Sequence, residues 1–357
     1  MRSSSLIHMR FILTLAITIC SSTFVQAAYT TAFKLVDKAS YPQSQDTVAL
    51  SNLPRVRSQG GFGACAGYSS AAVAQFYFCK HSKIQDCSSV PAEREISPIQ
   101  MMAFSNRDND QVAEGYIESY NNIKFEGAGS ASLRNLASIK LAMAESCYPF
   151  DQVVNKYGDD GKAVDAMLDR LREMYQASKR TEGSACLECI QKAVQEDLKV
   201  NANLEDIRMA LRKNSFEEFL FQTTIGRSFD NLGCEDIIRI RPIPKVGAFP
   251  DEKKVATPTE ALAKIKEVIK SGYPIVYDGM CPYSENGKCL GYHSVALTGY
   301  KKQCTADGKT CRELVRVQNS WGEEWQRQND DGWVDAQTFL QSRKIEAGSM
   351  TWLYSDK

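Results

Sequence analysis

Apolar positions keep a helical period through the first two thirds of the chain and turn strand-like in the last third. From Gly67 to Lys80, GYSSAAVAQFYFCK carries apolar side chains at 68, 71, 72, 76 and 79, which predicts a helix. Residues 97–106 and 132–145 also read as helical, the second with Leu133, Leu136, Ile139, Lys140 and Met143 on one side. In KAVDAMLDRLREMYQAS, positions 164, 167, 168, 171, 174 and 175 form one apolar face, and helices follow near 186–198, 203–213 and 215–222. After one more helix at 258–270, the runs DIIRIRPI, YPIVYDG, SVALTGY, ELVRVQNSW and GWVDA read as strands. Helices first and strands later predict an α+β fold, with a cleft between a helical and a β-rich half.

The N-terminus carries a different pattern. Arg2 and Arg10 precede the apolar run FILTLAITIC, which is too short to span a bilayer. VQA then offers small residues for cleavage after Ala27. The expected organisation is a signal peptide at 1–27, an arm at 28–45, a helical half at 46–154, a helical insertion at 155–233 and a β-rich half at 234–357. Export to the periplasm or the extracellular medium follows, with no membrane attachment after cleavage. The insertion shows no chemistry-bearing cluster; packing on the body or contacting a regulator or partner are its expected roles.

Composition narrows the partners. Basic and acidic side chains balance at 43 each, so nothing favours nucleic acid or an anionic surface. Of 12 cysteines, Cys20 leaves with the signal peptide, and the odd number remaining suggests one unpaired thiol in an oxidising compartment. Cys79 with Cys87, Cys281 with Cys289, and Cys304 with Cys311 across an Asp-Gly turn are natural local pairs. Cys147, Cys186, Cys189 and Cys234 leave their connectivity open. The lone Cys186/Cys189 CxxC has no second CxxC or nearby histidine, so no metal or cofactor is expected.

Cys65 follows the glycine-rich RSQGGFGA at the start of the first helix, where the helix dipole favours a thiolate. A nucleophilic cysteine also needs a base. The mature chain offers His81 and His293. His81 lies roughly 24 Å along the helix from Cys65, at 1.5 Å per residue, which leaves His293. Asn319 downstream is a candidate to orient its ring, with Trp321 shielding the contact.

QGGFGACAGYS, YHSVALTGY and VQNSWGEEW resemble, in order, the three active-site blocks of the papain-like cysteine peptidases. The resemblance covers about 46–150 and 235–340. It implies a two-subdomain papain-like fold and hydrolysis of peptide or protein substrates. It also implies Cys65 as nucleophile, His293 as base, Asn319 as orienting amide and Gln59 in the oxyanion hole. EISPIQMM resembles the helix after the nucleophile block and CYPF the Tyr-Pro landmark. FEGAGS resembles the glycine-rich wall of the substrate cleft, placing Gly127, Ala128 and Gly129 there beside Trp321.

Two departures stand out. Phe62 replaces a cysteine whose usual partner, ahead of the glycine-rich wall, is missing as well. Ala66 replaces an aromatic residue, which should open the cleft. The separation of Cys65 from His293 exceeds the family's ~130–150 residues, and the block at 155–233 accounts for most of the excess. The family's long inhibitory propeptide is absent. The expected mechanism pairs a Cys65 thiolate with a His293 imidazolium. A non-catalytic papain-fold binding protein and an acyl transferase using the same centre are the alternatives.

Overall fold

A computed structural model describes residues 30–31, 33–105, 123, 125, 127–180, 186–226, 236–251, 254–286, 288–341 and 344–356. The segment expected as a signal peptide and Cys234 lie outside them.

The expected β-rich half is built on a seven-stranded antiparallel sheet. Its strands are β1 (Gln43–Ala49), β2 (Lys245–Phe249), β3 (Ile275–Met280), β4 (His293–Cys304), β5 (Cys311–Gln318), β6 (Trp333–Asp335) and β7 (Met350–Tyr354). They run in the order β6-β5-β4-β3-β7-β2, with β1 paired to the far end of β4. β1 crosses the boundary expected between arm and body at residue 45. Its side chains are almost all exposed, so no apolar alternation marks it in the sequence.

The α-helices of the described residues are α1 (Cys65–His81), α2 (Pro98–Ala103), α3 (Gly129–Ile139), α4 (Phe150–Tyr157), α5 (Gly161–Arg180), α6 (Leu187–Leu198), α7 (Leu204–Leu211), α8 (Phe216–Phe221), α9 (Pro258–Lys270), α10 (Gly322–Gln328) and α11 (Ala336–Gln341). The helix expected over 132–145 is shifted. It ends at Ile139, Lys140 turns left-handed at φ 65°, and Leu141–Met143 pairs as a strand with Ile237–Arg239.

Thirteen of the seventeen residues of α1 are buried, because it lies between two cores. On one side, Ala74, Tyr77 and Phe78 pack with α3, α9 and the sheet through Leu133, Ile265, Val276 and Val295. On the other, Phe62, Ala66 and Tyr68 share a core with Phe150, Val164, Leu171, Ile207 and Phe219 of the helical block. The residues expected as an insertion therefore pack directly behind the loop that carries Cys65. Their first helix, α4, begins at Phe150, ahead of the boundary at 155.

The glycines of the loop make that packing possible. Gly61 donates its N–H to the Gly158 carbonyl at 2.8 Å. A Cβ on Gly60, whose φ is +56°, would stand 2.4 Å from the same oxygen, and one on Gly61 would stand 2.7 Å from the Gly161 nitrogen.

The three local cysteine pairs form: Cys79–Cys87, Cys281–Cys289 and Cys304–Cys311. Cys186 bonds Cys189, and Cys147 is disulfide-bonded as well.

Candidate active site

Cys65 is the one free cysteine among the described residues, half-buried at the first turn of α1. The backbone N–H of Ser294, the residue after His293, lies beside the sulfur and favours its ionised form. The nucleophile candidate and the histidine strand therefore meet, although they are remote in sequence. His293 opens β4, and the pairing of β4 with β3 slips between His293 and Val295. Such a bulge re-aims the side chain it carries. His81 sits at the far end of α1, with its ring 4.3 Å from that of Tyr77.

His293 Nε2 lies 2.7 Å from Asn319 Oδ1. The same oxygen accepts the Ser320 backbone N–H at 2.8 Å, which fixes the orientation of the amide. A carbonyl oxygen only accepts, so Nε2 carries the proton. In the neutral ring Nδ1 then holds the free lone pair, the form required of a base. Trp321 covers the ring at 4.6 Å between centroids and is itself stacked by Tyr283 at 6.0 Å.

Gln59 reaches the same region from the other side of Cys65. Its backbone N–H donates to the Ser320 carbonyl at 2.8 Å, and its Oε1 accepts from Ser320 Oγ at 2.6 Å. Nε2 donates one hydrogen to the Phe62 carbonyl at 2.6 Å. Two hydrogen bonds between neighbouring residues thus tie the Gln59 loop to the Asn319 loop.

The expected glycine-rich wall is divided. Gly127 is exposed, whereas Ala128 and Gly129 are buried at the start of α3. Ala66 does not open the cleft. It is 1% exposed within the second core, filling interior space. Phe62, the other departure, is also 1% exposed. Its ring lies 5.4 Å from Phe125, 5.1 Å from Phe150 and 6.2 Å from Tyr157. Phe125 stands in the segment where the missing partner cysteine was expected, so a ring contact occupies the place of the bridge.

The surroundings also bear on the protonation of the pair. Burial pushes the Cys65 thiol up, and the Asp278 carboxylate pushes the same way, while the Ser294 N–H opposes them. Burial lowers His293 to about 4 against the pull of Asn319. Burial thus weighs against the charged form of each group taken singly.

This lowering has a measurable consequence. An unfolded histidine titrates near 6.5, so on acidification the unfolded chain takes up a proton that the folded chain refuses. The stability His293 contributes is present above pH 6.5 and is lost as pH falls towards 4, by about 3 kcal/mol in all. Urea titrations of wild type and His293→Gln should diverge across that window, the wild type losing more on acidification. Parallel curves would contradict the buried neutral ring.

No protein-family model matches the chain, and no curated protein matches it. Among solved structures it is similar to recombinant stem bromelain precursor, at 12% identity and a TM-score of 0.39. That superposition covers 94% of this chain and 79% of the other. So loose a likeness says nothing about this chain's chemistry.

Proposed function

We propose that the chain is an exported cysteine peptidase that hydrolyses peptide bonds through an acyl-enzyme on Cys65. The observation that carries this reading is the Nε2–H tautomer held by Asn319. It leaves Nδ1 as a lone pair on the strand that meets the thiol. The local disulfides suit an oxidising compartment, and no helix among the described residues is long and apolar enough to cross a membrane.

Sulfur attacks the scissile carbonyl carbon as its proton passes to His293 Nδ1. The oxyanion is met by the Cys65 backbone N–H at the head of α1 and by the second N–H of the Gln59 amide. His293 then gives its proton to the leaving amine, and the C–N bond breaks to leave a thioester. Water attacks the thioester while His293 takes its proton, and the acid departs as the thiol re-forms. Asn319 holds the ring throughout, the role of the carboxylate in a serine triad. Trp321 and the exposed Gly127 flank the approach for substrate.

Iodoacetamide on the folded, unreduced protein, followed by peptide mapping, tests the assignment. The expected result is one adduct, at Cys65, with hydrolysis lost in step and labelling slowed in His293→Ala. Absent labelling, or labelling indifferent to His293, would overturn it. Trapping with an added amine nucleophile separates hydrolysis from acyl transfer. In a second test, Gln59→Ala should lower kcat by about 100- to 1,000-fold with little change in KM, because its donor matters most once the oxyanion forms.

A further inference from the structure

We infer that Asp278 is a positioning residue of this centre, acting on Cys65 and His293 through Ser294, Ser69 and the head of α3; the inference rests on Cys65 being the nucleophile. Asp278 lies in β3, IVYDGM, where every residue is buried. A carboxylate so placed needs strong partners, and this one is 7% exposed. One oxygen accepts the Gly129 N–H at 2.9 Å and the Ser294 hydroxyl at 2.6 Å, and the other accepts the Ser130 N–H at 2.9 Å. Its own backbone N–H donates to the Ser349 carbonyl at 2.9 Å.

The network reaches the reacting groups in one further step. Ser294 Oγ shares a hydrogen bond of 2.6 Å with Ser69 Oγ, one turn along α1 from Cys65. The Ser294 backbone N–H lies beside the sulfur and favours its ionised form. One carboxylate thus joins the nucleophile helix, the histidine strand and the helix behind the exposed Gly127. A helix cap alone would need only the two α3 amides. The hydroxyl relay to α1 adds a contact that serves the register of Cys65 against His293.

Asp278 also brings a carboxylate close to a sulfur that must become negative, and it pushes the thiol up. Among the described residues, three further ionisable groups bear on this corner. His293 on β4 is pressed towards its neutral form by burial. Tyr68, on α1, is buried and its phenol is held well up, and Arg57 behind it is matched by Glu145 at 3.0 Å and Asp151 at 2.7 Å. Asp278 therefore aligns the thiol and restrains its ionisation at once, and the two effects point in opposite directions on substitution.

The test uses Asp278→Asn in the full chain, with two readouts. Iodoacetamide alkylation of Cys65 at pH 6 should become about 3- to 10-fold faster, because a like charge is gone. The kcat for peptide should fall about tenfold or more as the register loosens. A purely structural role would not accelerate alkylation, so unchanged or slower labelling in a folded variant overturns the inference. Should Asp278→Asn not fold, Ser294→Ala decides, since it keeps the charge and cuts the relay. There, a tenfold loss of kcat with the wild-type alkylation profile supports the inference, and an unchanged kcat overturns it. A wild-type Cys65 that resists labelling at every pH, or labels alike with and without His293, overturns the peptidase reading and this inference together; the outcomes for the Asp278 and Ser294 variants overturn this inference alone.

Discussion

Cys65→Ala is expected to lower kcat for peptide hydrolysis by about 10,000-fold or more, and adding His293→Ala should cost almost nothing further. The two residues act in one step: without the sulfur, the lone pair on Nδ1 has no proton to take. The result follows from the geometry, because the ring is committed to Asn319 through Nε2 and the Ser69–Ser294 hydrogen bond holds the head of α1 against the histidine strand. Steady-state kinetics on the two single variants and the double variant measure it. Losses that multiply would mean independent roles and would contradict an acyl-enzyme shared by thiol and imidazole. A chain that only binds peptides would retain its affinity and show no turnover to lose.

Phe62→Ala should destabilise the protein by about 3–5 kcal/mol, the range for emptying a fully enclosed aromatic site. Phe62 is 1% exposed and meets three rings, from the segment before α3 and from both ends of α4. The loss should appear in urea denaturation as a lower midpoint. Activity should fall beyond the change in folded fraction, because Gln59 donates to the carbonyl of this same residue. A loss below about 1 kcal/mol would mean the site collapses easily and the ring cluster is dispensable.

The site was more legible than the fold around it. Chemistry confines its residues to few types, and the chain beyond residue 27 holds only two histidines. One is disposed of by the length of α1, so the elimination leading to His293 needs only a helical rise per residue. Helix α9 was equally open, since Pro258 follows a Thr257 cap whose hydroxyl and the Glu260 carboxylate bond each other's backbone N–H. β1 was hidden for the opposite reason: its pairing is entirely backbone and its side chains face solvent. Leu141–Met143 continued an apolar period that Lys140 interrupts by a left-handed turn, and no glycine announced it.

The protonation state and the placement of Ala66 needed three dimensions, because both depend on what surrounds a side chain. Asp278 carried a signal that passed unused, a carboxylate inside the apolar run YPIVYDG. Residues that break the pattern of their own element are the ones to examine for a function.

A catalytic thiol must stay reduced, whereas structural cystines need an oxidising medium, and one chain must satisfy both. The Phe62–Phe125 contact eases that conflict where it would be most acute. The loop leading into Cys65 is fastened to the segment before α3 by two rings with no sulfur between them. A reductant strong enough to rescue an oxidised Cys65 therefore finds nothing to cleave at that junction. The nearest cystine on the same helix, Cys79–Cys87, lies at its opposite end. The sulfur at Cys65 can then be reduced without loosening that one junction, whereas Cys281–Cys289, next to the Met280 that pairs with His293, stays open to the same reductant.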